Sequence, residues 1–121
     1  MLKKILIVDD SQAESRLMQS FLQDAGYTAV ALGDPLRIEQ TLASERPNLI
    51  LLDVVMPVRN GFQACRELKN SQEFGSIPIV LVSSKSGESD KFWGLQQGAD
   101  GYVIKPFTGK QLVGEVQRVI G

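Results

Sequence analysis

The feature that most constrains the fold is a regular alternation of short apolar runs with segments of helical period. Five runs have the length of a β-strand, at residues 6–8, 28–32, 49–52, 79–82 and 102–104. Strands that alternate with helices predict βαβ units and a parallel sheet. Because crossovers between parallel strands are right-handed, we expect a doubly wound α/β fold with strand order 2-1-3-4-5 and five helices, in three α/β/α layers.

Length and charge restrict the class of protein. The 121 residues, 43% of them hydrophobic, fit one compact domain over residues 1–121. The net charge of −1 and the scattered basic residues give no footprint for nucleic acid. No apolar stretch approaches the roughly 20 residues that span a bilayer, so we expect no membrane insertion and a cytoplasmic location. The single cysteine, Cys65, cannot form an internal disulfide and is expected in the core.

Charged side chains stand where three of the apolar runs end. Asp9 and Asp10 follow the first run, Asp53 follows the third and Lys105 follows the fifth. The carboxyl ends of parallel strands share one edge of a sheet, where ligands bind, so these groups should converge. Two like charges about 4 Å apart repel by roughly 4 kcal/mol at an effective dielectric constant of about 20. A divalent cation and Lys105 would neutralise the three carboxylates, and an all-oxygen site suits Mg²⁺, which together with a lysine can handle a phosphoryl group.

A structural explanation for the same residues is that the acids cap helices and the lysine is solvated. That explanation does not account for Asp53, because a lone carboxylate directly after a buried strand is unfavourable without a compensating partner. For the three acids and Lys105 we therefore prefer the interpretation as a site for Mg²⁺ and a phosphoryl group.

Two helical segments carry further expectations. Ser11 followed by Glu14 has the spacing of a capping box and predicts the start of the first helix. Nearer the end of the chain, Phe92 and Leu95 share a helical face with Ala99, so Phe92 and Leu95 are expected to be core residues.

Taken together, the motifs resemble those of CheY-like receiver domains of two-component response regulators, and the resemblance covers the whole chain. It is carried by IVDDS at residues 7–11, LLDVVMPVRNG at 51–61, VSS at 82–84 and GYVIKPF at 101–107. The resemblance implies a flavodoxin-like fold. Within the family, residues 89–106 and the segment MPVRNGFQACREL are most similar to PilH-like regulators of twitching motility and phototaxis.

The resemblance also implies roles for the charged residues. Asp53 would accept a phosphoryl group, and Lys105 would bind the phosphoryl oxygens. Asp9, Asp10, Asp53 and the backbone carbonyl of Val55 would hold Mg²⁺. The chain would assist its own phosphorylation and dephosphorylation without being a turnover enzyme.

A second set of implied roles concerns switching. Ser83 aligns with the family's switch hydroxyl, which moves toward the phosphoryl group, and Tyr102 aligns with its partner aromatic, which swings from exposed to buried. The motion would remodel the surface formed by the fourth helix, the fifth strand and the last helix. A cis peptide bond is implied between Lys105 and Pro106.

Two further residues should border the phosphoryl group and influence the attack of water on it. Val55 follows Asp53 by two positions, and Lys85 follows Ser83 by two. Neither position carries an acid or an amide, so we expect that Val55 cannot orient water and that Lys85 shields the phosphate. Both effects predict slow autodephosphorylation.

The partners implied by the resemblance are a CheA-like histidine kinase, or its phosphotransfer domain, and an unidentified downstream protein, with the chain a monomer or a weak dimer. A phosphate sink without strong output and a degenerate receiver that acts as a static interaction module are the alternatives within the family. A hydrolase of the haloacid dehalogenase type normally needs an acid where Val55 stands. A flavin-binding module is disfavoured because Asp9 and Asp10 would repel the flavin phosphate.

Overall fold

The structure is a computed structural model that describes residues 2–121. It contains five strands and five α-helices in alternation, with a short 3₁₀ helix before the second α-helix. The elements in chain order are β1 (Lys4–Val8), α1 (Gln12–Asp24), β2 (Thr28–Leu32), the 3₁₀ helix (Pro35–Arg37), α2 (Ile38–Glu45), β3 (Leu49–Asp53), α3 (Gly61–Lys69), β4 (Ile79–Ser83), α4 (Glu88–Gln96), β5 (Gly101–Ile104) and α5 (Gly109–Ile120). No helix in the described range is long and apolar enough to cross a bilayer.

All five strands form one parallel sheet in the order β2-β1-β3-β4-β5, which confirms the predicted topology. Every residue of β3 and of β4 is buried. Strands covered by helices on both faces have no polar side, and this explains why consecutive positions in these two strands are apolar. Such strands form a rigid support for the residues at their carboxyl ends.

Each face of the sheet has its own hydrophobic core. Helices α1 and α5 cover one face and contribute Met18, Leu22, Leu112 and Val116. Helices α2 and α3 cover the other face and contribute Ile38, Leu42, Ala64, Cys65 and Leu68. The three-layer arrangement is the predicted one, and Cys65 lies in the core as expected.

Helix α4 packs differently from the prediction. The expectation that Phe92 and Leu95 are core residues is wrong, since their exposed fractions are 63% and 50%. The helix contacts the sheet through Gly94, where a Cβ atom would lie 2.9 Å from Leu81 Cδ1 and 3.2 Å from Tyr102 Cδ2. Because the smallest residue faces the sheet, the large side chains on either side of it fall on the outward part of the helix.

Two helices, α5 and α1, begin at capping residues, and the capping box is complete only at α5. At α5, Thr108 and Gln111 form a complete capping box, with each side chain accepting the other residue's backbone N–H. At α1, the Ser11 hydroxyl accepts the Glu14 N–H at 3.3 Å, as predicted. The Glu14 carboxylate, however, turns toward the carboxyl edge of the sheet.

Candidate functional site

The register of the sheet brings the predicted acids together. Strands β1 and β3 are neighbours with Val8 paired to Leu52, so Asp9 and Asp53 are the next residues along each strand. One carboxylate oxygen from each of Asp9, Asp10 and Asp53 lies within 4.8 Å of the others, with Asp9 and Asp53 buried and Asp10 exposed. The convergence predicted from the strand ends is present.

Asp9 is fixed by local hydrogen bonds. Its N–H donates to the Leu32 carbonyl at 3.1 Å, and its Oδ1 accepts from the Ser11 N–H at 2.9 Å. Its own carbonyl accepts a hydrogen bond from the Ser15 hydroxyl at 3.4 Å. These bonds hold the carboxylate in one orientation at the edge of the sheet.

Lys105 reaches these acids from the end of the edge strand β5. It follows β5 directly, and its N–H donates to the Ser83 carbonyl at 2.8 Å, which ties its backbone to the end of β4. Its Nζ lies 3.1 Å from Asp53 Oδ1 and 3.4 Å from Asp9 Oδ2. The lysine therefore bridges the first and third strands, as the sequence predicted.

Glu14 is a member of the site that the sequence analysis missed. Its carboxylate contacts Lys105 Nζ, so the Glu14 side chain leaves the predicted capping box half formed. The capping pattern concealed this role, because the same Ser-to-Glu spacing is satisfied by a purely local interaction. Its position in the sequence could have indicated this role. Glu14 lies in the first turn of α1, four residues after Asp10, and a residue there is close to the carboxyl edge of the sheet.

Crowding and burial perturb the titration of the site. Burial, together with the charge of Asp53, raises the pKa of Asp9 to about 6, although the Ser11 N–H opposes the shift. Burial also raises the pKa of Asp53, against the opposing hydrogen bond from Lys105. Burial alone would lower the pKa of Lys105, but contacts with Glu14, Asp53 and Asp9 outweigh it and raise that pKa above its usual value.

This donor set fits a hard divalent cation. Three carboxylate oxygens converge, and Lys105 supplies one positive charge beside them. Asp9, Asp10 and Asp53 would hold Mg²⁺, which prefers oxygen ligands and retains several waters. When bound, the ion would neutralise charge on the oxygens of a transferring phosphoryl group.

The raised pKa of Asp9 predicts an unusual pH dependence of stability in metal-free protein. The folded state favours the protonated Asp9, so this residue stabilises the fold fully below its ordinary pKa of 3.8 and loses that contribution as the pH rises through about 6. The loss is at most about 3 kcal/mol. Glu14 has a pKa lowered by its hydrogen bond from Lys105 and acts with the opposite sign, but at more acidic pH.

We therefore expect the contribution of Asp9 to the free energy of unfolding in EDTA to be lost between about pH 4 and about pH 6. Urea denaturation at several pH values measures it, and Asp9→Asn should flatten the dependence. A wild-type stability that rises over this interval, with the same slope in Asp9→Asn, would contradict the assignment. Addition of Mg²⁺ should restore stability at the higher pH.

The loop between β3 and α3 carries Val55, whose carbonyl is the predicted fourth protein ligand. The Gly61 N–H donates to the Val54 carbonyl at 2.8 Å and closes the loop at its base. Val55 itself is exposed and lies two residues after Asp53. Its role as a carbonyl ligand stays a prediction.

Arg59, in the same loop, is a buried residue with an unexpected role. Its guanidinium makes a bidentate pair with Glu39 at 2.9 and 2.8 Å and donates to Glu67 at 3.0 Å and to the Pro35 carbonyl at 3.1 Å. The neighbouring Val58 has φ +70°, a strained conformation for a β-branched residue. The arginine thus ties the loop to α2 and α3 and holds it in a conformation that Val58 alone would disfavour.

The two predicted switch residues are joined through the backbone of Lys85. The Ser83 hydroxyl accepts the Lys85 N–H at 3.0 Å, and the Tyr102 hydroxyl donates to the Lys85 carbonyl at 2.8 Å. Ser83 is buried and Tyr102 is half-buried, while Lys85 is exposed. The peptide bond between Lys105 and Pro106 is cis. Sequence reasoning assigned Lys85 to the site by its side chain and missed the link made by its backbone.

A doubly wound sheet that gathers three acids and a lysine at its carboxyl edge, beside a serine and a tyrosine on the next two strands, defines a receiver domain of the response-regulator class. The chain belongs to the response regulator receiver domain family, whose sequence model matches residues 5–117.

Individual relatives agree with this assignment. Protein PilH of Pseudomonas aeruginosa is 37% identical over 120 residues, which cover 97% of each chain. The transcriptional regulatory protein GltR of the same organism is 32% identical over 118 residues, but this chain spans only 49% of its length. The chemotaxis response regulator CheY4 of Vibrio cholerae has the same fold, with a TM-score of 0.91 and 30% identity over 99% of this chain and all of that chain.

Proposed function

We propose that this receiver domain accepts a phosphoryl group on Asp53 from a histidine kinase, CheA-like, or from the kinase's phosphotransfer domain. The observation that carries the proposal is the position of Lys105 Nζ, 3.1 Å from Asp53 Oδ1 and 3.4 Å from Asp9 Oδ2. The acceptor carboxylate therefore contacts the Lys105 ammonium and is itself one of the three acids suited to Mg²⁺.

The residues of the chain account for the transfer. An Asp53 carboxylate oxygen forms the new bond to phosphorus, while the bond between phosphorus and the donor breaks and its electron pair leaves with the donor. Lys105 neutralises charge on the phosphoryl oxygens, and the buried walls around Asp9 and Asp53 strengthen that interaction. Positioning and charge neutralisation by Lys105 and a bound Mg²⁺ are the main requirements of phosphoryl transfer, so the chain needs no general acid or base for this step.

The signal would pass through Lys85. If the Ser83 hydroxyl turns toward a phosphoryl group on Asp53, it gives up the Lys85 N–H, and the loop that accepts the Tyr102 hydrogen bond is released. Tyr102 can then move inward and change the surface formed by α4, β5 and α5. A two-state element of this kind is biased by the charge of the phosphoryl group.

The output we favour is chemotaxis-like control of motility through a downstream protein. PilH matches the chain along almost its whole length, and the chemotaxis regulator CheY4 matches its fold. We propose that the protein is not a turnover enzyme, and that Val55 and Lys85, which offer no acid or amide beside the site, make autodephosphorylation slow. A phosphate sink is the second candidate for the output.

The first test uses acetyl phosphate as the donor, with and without Mg²⁺, and follows the intact mass of the wild type and of Asp53→Asn. We expect one phosphoryl group to be gained only by the wild type and only with Mg²⁺. Asp53→Asn is a matched control, because it removes the nucleophilic carboxylate at nearly constant volume. No adduct in either protein would contradict the proposal and favour a static interaction module.

A further inference from the structure

The Lys105 ammonium has no free donor in this structure. An ammonium carries three N–H groups. Within residues 2–121, Lys105 Nζ makes three contacts with carboxylates, those of Asp9, Asp53 and Glu14. A phosphoryl oxygen that arrives at Lys105 must therefore take the place of one of these three groups.

The three carboxylates differ in their freedom to leave. The Asp9 side chain is 0% exposed and is fixed by the Ser11 N–H, and Asp53, 6% exposed, is the acceptor itself. The Glu14 side chain is 45% exposed and lies on the first turn of α1, at the rim of the pocket. Glu14 can turn into water without opening the core, whereas the other two cannot.

We propose that Glu14 is a resident partner of Lys105 that must be displaced when Asp53 is phosphorylated, and that it thereby limits how readily the domain accepts a phosphoryl group. The inference rests on the proposed function. It makes Glu14 a residue that tunes the reaction by competing with the incoming phosphoryl oxygens for one ammonium hydrogen.

The charge of the pocket also indicates that Glu14 slows phosphorylation. Asp9, Asp10, Asp53 and Glu14 bring four negative charges against one lysine, and an aspartyl phosphate adds roughly one more. Removal of the Glu14 charge both frees a donor on Lys105 and reduces repulsion of the incoming group. Both effects should speed phosphorylation.

The test compares Glu14→Gln and Glu14→Ala with the wild type in the acetyl phosphate assay with Mg²⁺. Partly exposed ion pairs change equilibria by up to about fivefold, and the loss of repulsion adds to this, so we expect phosphorylation to be roughly three- to tenfold faster in both variants. The start of α1 should survive either substitution, because the Ser11 hydroxyl binds the backbone N–H of residue 14. Circular dichroism checks that the fold is retained.

A second readout separates competition from a general disturbance of the site. In the phosphorylated wild type Glu14 has already left Lys105, so loss of phosphate from preloaded protein should differ less than about twofold between wild type and Glu14→Gln. Glu73→Gln, an exposed residue before β4, is the matched charge control and should behave as wild type in both measurements.

The outcomes are distinct. Phosphorylation of Glu14→Gln at the wild-type rate or slower, in an assay that labels the wild type, would overturn the inference and leave the proposed function intact. Equal acceleration of phosphorylation and of phosphate loss would also overturn it. Failure to label the wild type would contradict the proposed function and this inference with it.

Discussion

Lys105→Met should slow the phosphorylation of Asp53 by about 100-fold to 1,000-fold. The ammonium is the one cation that contacts both Asp53 and Asp9 in the described part of the chain. Loss of a single preorganised donor to developing negative charge typically has an effect of that size. Methionine is unbranched like lysine and replaces most of its apolar stem, although it is one atom shorter, so the packing of the stem is largely preserved. The initial rate of phosphoryl gain, followed by intact mass, measures the effect.

The same variant should show a stability defect that depends on Mg²⁺. Without the ammonium, the carboxylates of Asp9 and Asp53 are left buried beside each other, so metal-free Lys105→Met should unfold more readily at pH 7.5 than wild type. Mg²⁺ should recover part of the difference. Lys110→Met, an exposed lysine on α5, controls for the general loss of one positive charge. Labelling of Lys105→Met within tenfold of the wild-type rate would show that Lys105 has no direct role.

The convergence of Asp9, Asp53 and Lys105 could be predicted because it depends on topology alone. Strands buried on both faces are apolar on consecutive positions, and their carboxyl ends are marked where a charged residue interrupts the run. The right-handed crossover rule then places the first strand beside the third. No knowledge of side-chain conformation is needed for that conclusion.

The features that sequence reasoning missed depend on contacts between distant residues. Glu14 and Lys105 are 91 positions apart, and a local capping rule gives a sufficient but incomplete explanation for Glu14. The burial of Arg59 requires two glutamates from different helices. The outward orientation of Phe92 follows from Gly94, because helical periodicity identifies a hydrophobic face but not how closely a helix approaches the sheet.

Gly61, at the start of α3, occupies the most crowded backbone position near the acceptor. A Cβ atom there would overlap the carbonyl oxygen of Asp53 and would lie 2.7 Å from Cα of Val54. Both neighbours are backbone atoms of a buried strand end, so no side chain can move aside to make room. Gly61 also closes the β3–α3 loop through its N–H bond to the Val54 carbonyl, which ties any displacement to Asp53 itself.

We expect Gly61→Ala to lower the free energy of unfolding by about 3 kcal/mol, at the upper end of the range for overpacking, because the overlap is with the backbone. For a chain of this size that loss lowers Tm by roughly 10 °C. Gly114→Ala is the matched control: Gly114 lies within α5, and a Cβ there meets nothing within 4 Å. It should raise stability by about 0.5–1 kcal/mol through helix propensity. Urea denaturation of both variants measures the contrast, and the acetyl phosphate assay should show a loss of phosphorylation in Gly61→Ala alone. Equal stabilities would mean that the strand end at Asp53 yields to the added methyl group, and Asp53 would then not be the rigidly held acceptor that this geometry requires.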